Sequence, residues 1–133
     1  MDGKENNSAI GDYMAEQRID LKQLLHLIHD NKEFEVNFIL DEGCVIMAED
    51  AKPLIKVLNY LINYLTPLTP SPLEISLDLR GNDKLLSMMA YTEQSDLPSM
   101  SDQVSSTLAD YAATMDKVHE NGKYIQFKIS FSR

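Results

Sequence analysis

The sequence predicts an α+β fold, a two-layer α/β sandwich in which helices cover one face of a mixed sheet. Three observations carry that expectation. Stretches with apolar residues every three or four positions are interspersed with stretches whose apolar residues recur every second position. Each helical stretch has a single apolar stripe, so it needs one surface to bury against, and a sheet supplies it. The alternation at 34–40 and 73–79 also sets polar residues on the outward positions, as in a sheet with one solvated face.

Residues 1–17 form a polar lead-in, and no Gly/Ser linker or repeat divides the rest, so one domain is expected over 18–133. In IDLKQLLHLIHD, Ile19, Leu21, Leu24, Leu25 and Ile28 share a helical face, with Asp20 as N-cap. FEVNFIL alternates Phe34, Val36, Phe38 and Leu40 against Glu35, Asn37 and Ile39, and DEG turns it into a second strand, CVIMA. After Asp50, an N-cap candidate, Leu54, Val57, Leu58, Leu61, Ile62 and Leu65 mark a helix that tolerates Pro53 in its first turn. TPLTPSP stops it and makes a rigid loop. LEISLDL, RGNDK and LLSMMAYT read as a hairpin. Val104, Leu108, Tyr111, Ala112, Met115 and Val118 predict a second long helix, stopped by Asn121 and Gly122, before a last strand, KYIQFKISF. The expected order is α-β-β-α-β-β-α-β.

A chain of 133 residues with 44% hydrophobic content can fill one core. With 21 acidic against 12 basic side chains the net charge is −9, which disfavours nucleic-acid backbones and anionic lipid as partners. The apolar runs fall short of a membrane span and the polar N-terminus lacks a signal-peptide core, so a cytoplasmic location is expected. Cys44 is alone and sits in GCVIMA among acidic neighbours, the setting of a buried small hydrophobe rather than a reactive thiol.

This element order, with RIDLKQLL, CVIMAEDAKPLIKVLNYLINYLTP and LADYAATMDKVHENGKYIQF, resembles the ATP-binding domain of sensor histidine kinases, of the superfamily shared with gyrase, the heat-shock-90 chaperones and MutL (GHKL, the Bergerat fold). The likeness covers about residue 18 to the end. The second stretch is similar to the family's strand, Asp, and L-x-x-V-L-x-N-L-L-x-N-A helix. The third is similar to its last helix, H-G-G turn and following strand.

The resemblance implies three ligand motifs, and all three depart from the family pattern. Counting from Asp50, the helix asparagines that coordinate magnesium fall on Tyr60 and Tyr64, and the basic position on Pro67. A slip of one residue would recruit Asn59 and Asn63, but at roughly 100° per residue it would also rotate the leucine stripe out of the core. The asparagines are therefore expected to face water. In D-x-G-x-G-I-P, the adenine-binding Asp becomes Thr92 and the glycines become Gln94 and Asp96, although Leu97 and Pro98 keep the ending. The G-x-G that cradles phosphate at the start of the last helix is replaced by Ser105, Ser106, Thr107, Leu108, Ala109 and Asp110, and the lid before it is short.

Other groups suggest less. His26 and His29 are expected to lie on a solvated helix face, and too few residues are expected before them for a phosphoacceptor hairpin. His119 reads as a helix-end residue, and no Cys/His cluster has metal-ligand spacing. The methionines, Met88 and Met89 included, read as core filler. The expectation is a non-catalytic, nucleotide-free histidine-kinase-like domain that works as an interaction module, without cofactor. Its implied partner is a response regulator, a kinase or a similar signalling protein. Tyr60 and Tyr64 either contact that partner or fill the vacated pocket. Two alternatives are a divergent ATP-binding kinase using Asn59, Asn63 and Thr92 with ATP and magnesium, and a small anti-sigma-type kinase. Monomer and dimer both stay open.

Overall fold

The computed structural model describes residues 16–132. Strand β1 (Gln17–Asp20) leads into helix α1 (Leu21–Asp30), followed by β2 (Val36–Leu40), β3 (Val45–Ala48) and helix α2 (Lys52–Leu65) with a 3-10 turn at Thr66–Leu68. Then come β4 (Leu73–Arg80), β5 (Asp83–Tyr91), the short helix α3 (Gln103–Ala109), β6 (Ala113–Glu120) and β7 (Tyr124–Phe131). Five strands form a mixed sheet in the order β2-β4-β5-β7-β6, and β1 pairs with β3 in a separate two-stranded sheet. Only the β2–β4 pair is parallel; β4–β5, β5–β7 and β6–β7 are antiparallel.

The core lies between the helices and one sheet face. Leu54, Leu58, Leu61 and Leu65 of α2 are fully buried, as are Leu77, Leu86, Met88, Ile125, Phe127, Ile129 and Phe131 from the strands. Period two in the strands puts Glu74, Ser76 and Asp78 on the opposite face, half-exposed. The expected two-layer architecture is thus the observed one. Asp20 caps α1 as expected: its carboxylate accepts from the backbone N–H of Lys22 at 3.0 Å and of Gln23 at 3.2 Å. Replacing it with alanine is expected to cost about 1 kcal/mol, seen as a lower urea midpoint at constant slope.

Several local expectations are corrected. The long helix over 104–118 does not exist: α3 ends at Ala109, Ala112 takes a positive φ of 53°, and the chain leaves as β6. Asn121 and Gly122 form the tip of the β6–β7 hairpin, with Gly122 at φ 78°, so they connect strands rather than end a helix. His119 accordingly sits on a strand, its Nε2 3.3 Å from the Gln94 carbonyl. FEVNFIL and CVIMA are strands with a turn between them, as expected, but they do not pair with each other: β2 pairs with β4 and β3 with β1. Ile19 belongs to β1, which the sequence reading missed; residues 1–15 of the lead-in lie outside the described residues.

Cys44 is fully buried, and burial, then the nearby Asp41 carboxylate, pushes its thiol up from the ordinary value. That suits its reading as a small hydrophobe. Met88 is buried in the core, whereas Met47 is 40% exposed, so core filling does not describe every methionine.

Candidate functional site

Helix α2 starts without a side-chain cap on its N-cap residue Ala51, and its first amides find other partners. Asp50 Oδ1 accepts from the Lys52 N–H at 2.9 Å, and Pro53 has no N–H to satisfy. Leu54 N–H donates to the Tyr111 hydroxyl at 3.1 Å, while that hydroxyl donates to the Asp50 carbonyl at 2.5 Å. A residue just past α3 thereby holds the first turn of α2.

One turn apart on the same helix, Tyr60 and Tyr64 reach the segment between β5 and α3. The Tyr64 hydroxyl donates to the Pro98 carbonyl at 2.6 Å, and the Ser101 N–H donates to the Tyr60 hydroxyl at 2.9 Å. The Tyr64 ring is buried, its centroid 5.7 Å from that of Phe127 on β7, whereas Tyr60 is half-buried. Leu97 and Met100 pack against the core from the same segment. Residues 98–101 are thus fixed to α2 at two points. Beside them, Pro53, Lys56, Val57, Tyr60, Val104 and Thr107 line an open groove of ≈ 430 Å³ between α2 and α3.

Thr92 is buried, and its hydroxyl accepts from the Gln94 N–H at 3.1 Å, while its own N–H donates to the Lys123 carbonyl at 3.0 Å. Thr92 and Gln94 line a separate depression with Leu68, Pro70, Tyr91 and Lys123. Pro67 and Asp96 are exposed and have no side-chain bond among the described residues. Asn63 is exposed and Asn59 half-buried, and neither side chain makes a hydrogen bond among the described residues. Glu16, Glu49, Asp50 and Asp110 line a third cleft with Tyr111 at the start of α2. Among the described residues, no group of three or more His, Cys, Asp and Glu is placed to hold a metal, and no helix is long and apolar enough to cross a membrane.

The fold has many solved counterparts. Histidine kinase AdeS of Acinetobacter baumannii superposes with a TM-score of 0.68 at 14% identity, over 88% of this chain and 66% of that one. Full-length ShkA in complex with AMPPNP gives 0.67 at 12%, over 88% and 31%. The histidine kinase domain of the E. coli osmosensor EnvZ gives 0.66 at 8%, over 97% and 91%. The chain has the histidine-kinase ATPase fold. No protein-family model matches the sequence, and no curated protein matches it. This histidine-kinase-like domain spans about two thirds of AdeS and under a third of ShkA.

Sequence reasoning missed Ser101 and the role of Tyr111 in this histidine-kinase-like domain. Its spacing makes Tyr111 resemble one more apolar residue of a long helix stripe. The available signal was its phenol: a buried tyrosine needs a partner for its hydroxyl.

Burial pushes the Tyr64 phenol up, with Tyr60 adding to it. Burial also raises Tyr111, partly offset by the Leu54 N–H and reinforced by Asp50 and Asp110. A phenol whose folded pKa exceeds its unfolded one stabilises the fold fully below the unfolded value and loses that contribution as pH rises through the folded value. The thermal midpoint is therefore expected to fall as pH rises beyond 10.0, the ordinary phenol value. With no tryptophan in the chain, the phenolate absorbance band reports this directly, and part of it should appear only with unfolding.

Proposed function

We propose that this chain is a catalytically silent relative of the histidine-kinase ATPase domain, acting as a protein-interaction and regulatory module in two-component-type signalling. The observation that supports this most is the pair of bonds from Tyr60 and Tyr64 to residues 98–101. The resemblance assigns those tyrosines to the positions of magnesium-binding asparagines. Here they anchor the segment before α3 and, through Tyr64, fill the core against Phe127.

The residues present fit a magnesium nucleotide poorly. A phenol already bonded to a backbone carbonyl is a weak substitute for a metal-binding amide, and the Thr92 hydroxyl is already bonded by the Gln94 N–H. Asn63 is exposed and Asn59 half-buried, and among the described residues no group of three or more His, Cys, Asp and Glu is placed to hold a metal beside them. The carboxylates of Glu16, Glu49, Asp50 and Asp110 near the start of α2 repel a polyphosphate. No step of catalysis is assigned to any side chain. The neighbours named above are histidine kinases, which supports a response regulator or a kinase as partner.

Thermal unfolding with and without millimolar Mg-ATP or Mg-ADP tests the nucleotide half of the proposal. The midpoint is expected to stay unchanged. A ligand at a hundredfold excess over its dissociation constant would add about 2.7 kcal/mol to the folded state, so a clear upward shift would overturn the silent-domain reading.

A further inference from the structure

We infer that the free edge of β2 is a docking site for an extended segment of a partner protein, which adds to the sheet as a strand and combines apolar side chains with lysine or arginine. The inference rests on the interaction-module reading and gives it a surface.

Backbone geometry defines the edge. The Glu35 carbonyl accepts from Leu73 N–H, and Asp41 N–H donates to the Leu77 carbonyl, both at 3.0 Å. With Val36 in register with Leu73, the parallel ladder turns the backbone groups of Glu35, Asn37, Ile39 and Asp41 toward β4. The N–H and C=O of Val36, Phe38 and Leu40 therefore point away from the sheet, and none of them is bonded among the described residues. The side chains of these three are only half-buried, and Ile39 beside them on the open face is 72% exposed. An added strand would cover all of this.

The opposite edge is guarded. Strand β6 carries Asp116, Lys117, His119 and Glu120, and the Gln94 carbonyl reaches His119. Charges of this kind are how natural sheets keep other chains off an edge. β2, with the sequence VNFIL, has none.

Charge selects the occupant. Glu33 and Glu35 precede the strand, Asp41 and Glu42 follow it, and Glu74 and Asp78 lie on the neighbouring β4; the opposing cations nearby are Lys22, paired with Glu42, Lys32, Arg80, 3.5 Å from Asp78, and Lys84 on β5, opposite Leu79. A second copy pairing antiparallel about Phe38 would set its Asp41 opposite Glu35, between chains of net charge −9. The segment 1–15 has Asp2, Glu5 and Asp12 against Lys4, the same unfavourable sign. A basic extended segment meets both the bare ladder and the field, with main-chain bonds giving affinity and alternate side chains giving specificity.

The test uses the full chain and two fluorescein-labelled nine-residue peptides, one alternating lysine with valine and the other alternating glutamate with valine. Anisotropy is expected to show the lysine peptide binding at least about tenfold more tightly. Amide exchange at Val36, Phe38 and Leu40 should slow at least about tenfold on binding, with β6 unchanged. Ile39→Lys, at an exposed position that leaves the fold intact, and Val36→Pro, which removes an outward donor without breaking a bond to β4, should each weaken binding by about tenfold. Equal binding of both peptides, or slowed exchange elsewhere and not at β2, overturns the proposal. So does a dimer that protects the same amides without peptide and that Ile39→Lys dissolves, because the occupant is then a second copy. A response regulator or kinase that binds while these amides exchange freely overturns the edge and leaves the interaction reading standing, whereas a Mg-ATP shift removes the silent-domain reading alone.

Discussion

Tyr64→Ala is expected to lower the unfolding free energy by about 3–5 kcal/mol, the range for truncating a buried aromatic. The side chain is only 7% exposed and packs on the fully buried Phe127, so its removal leaves a void between α2 and β7 that neither rigid element can close. It also removes one of the two anchors on residues 98–101. Typical domains have only about 5–15 kcal/mol of stability, so the urea midpoint should drop sharply and cleavage within 98–101 should accelerate. Tyr64→Phe keeps the ring and loses a bond to the exposed Pro98, costing about 1 kcal/mol. If Tyr64→Ala is as stable as the parent and instead loses binding to a partner of the kind proposed above, the residue belongs to an interface rather than the core.

The placement of the tyrosines was legible because the leucine stripe sets the rotation of α2. Leu54, Leu58, Leu61 and Leu65 are all at 0% exposure, which fixes Asn63 toward solvent and Tyr64 inward. What no spacing rule reveals is where the next segment lies, so the bonds of Tyr60 and Tyr64 to Ser101 and Pro98, 41 and 34 residues away, were invisible. The ligand positions Thr92 and Gln94 were named from the motif, but their bond to each other depends on a turn that side-chain pattern does not encode.

The misread helix has a definite cause. Val104, Leu108, Tyr111, Met115 and Val118 recur at helical spacing, and that period hides the break at Ala112, where a non-glycine residue takes φ 53°. The competing signal was Asn121 and Gly122, a favoured hairpin turn, followed by the period-two strand Tyr124–Phe131. Pairing of Thr114 with Ser130 and Asp116 with Lys128 then stabilises residues 113–120 as an edge strand, a non-local contact that overrides local period. Strand β1 was lost for a similar reason: its four residues are defined by pairing with β3. Parallel pairing of β2 with β4 likewise needs a partner on the far side of α2.

Tyr111→Phe is expected to cost about 1–3 kcal/mol although it deletes a single oxygen, because a buried donor left unmatched bears its full desolvation penalty. The hydroxyl accepts from Leu54 N–H and donates to the Asp50 carbonyl in a site only 4% exposed. Phenylalanine leaves the Leu54 amide facing apolar carbon at a helix start whose N-cap side chain, Ala51, cannot substitute. Tyr60→Phe is the control: its hydroxyl accepts one bond from Ser101 N–H in an exposed position, where water replaces it, so its cost should stay within about 0.5 kcal/mol. Urea unfolding of the two variants separates burial from chemistry, since each loses the same atom. Equal midpoints for both would show that Tyr111 does not hold α2. A drop confined to Tyr111→Phe, with slower-exchanging amides of α2 becoming fast, would place the start of this helix under the control of a residue 57 positions away.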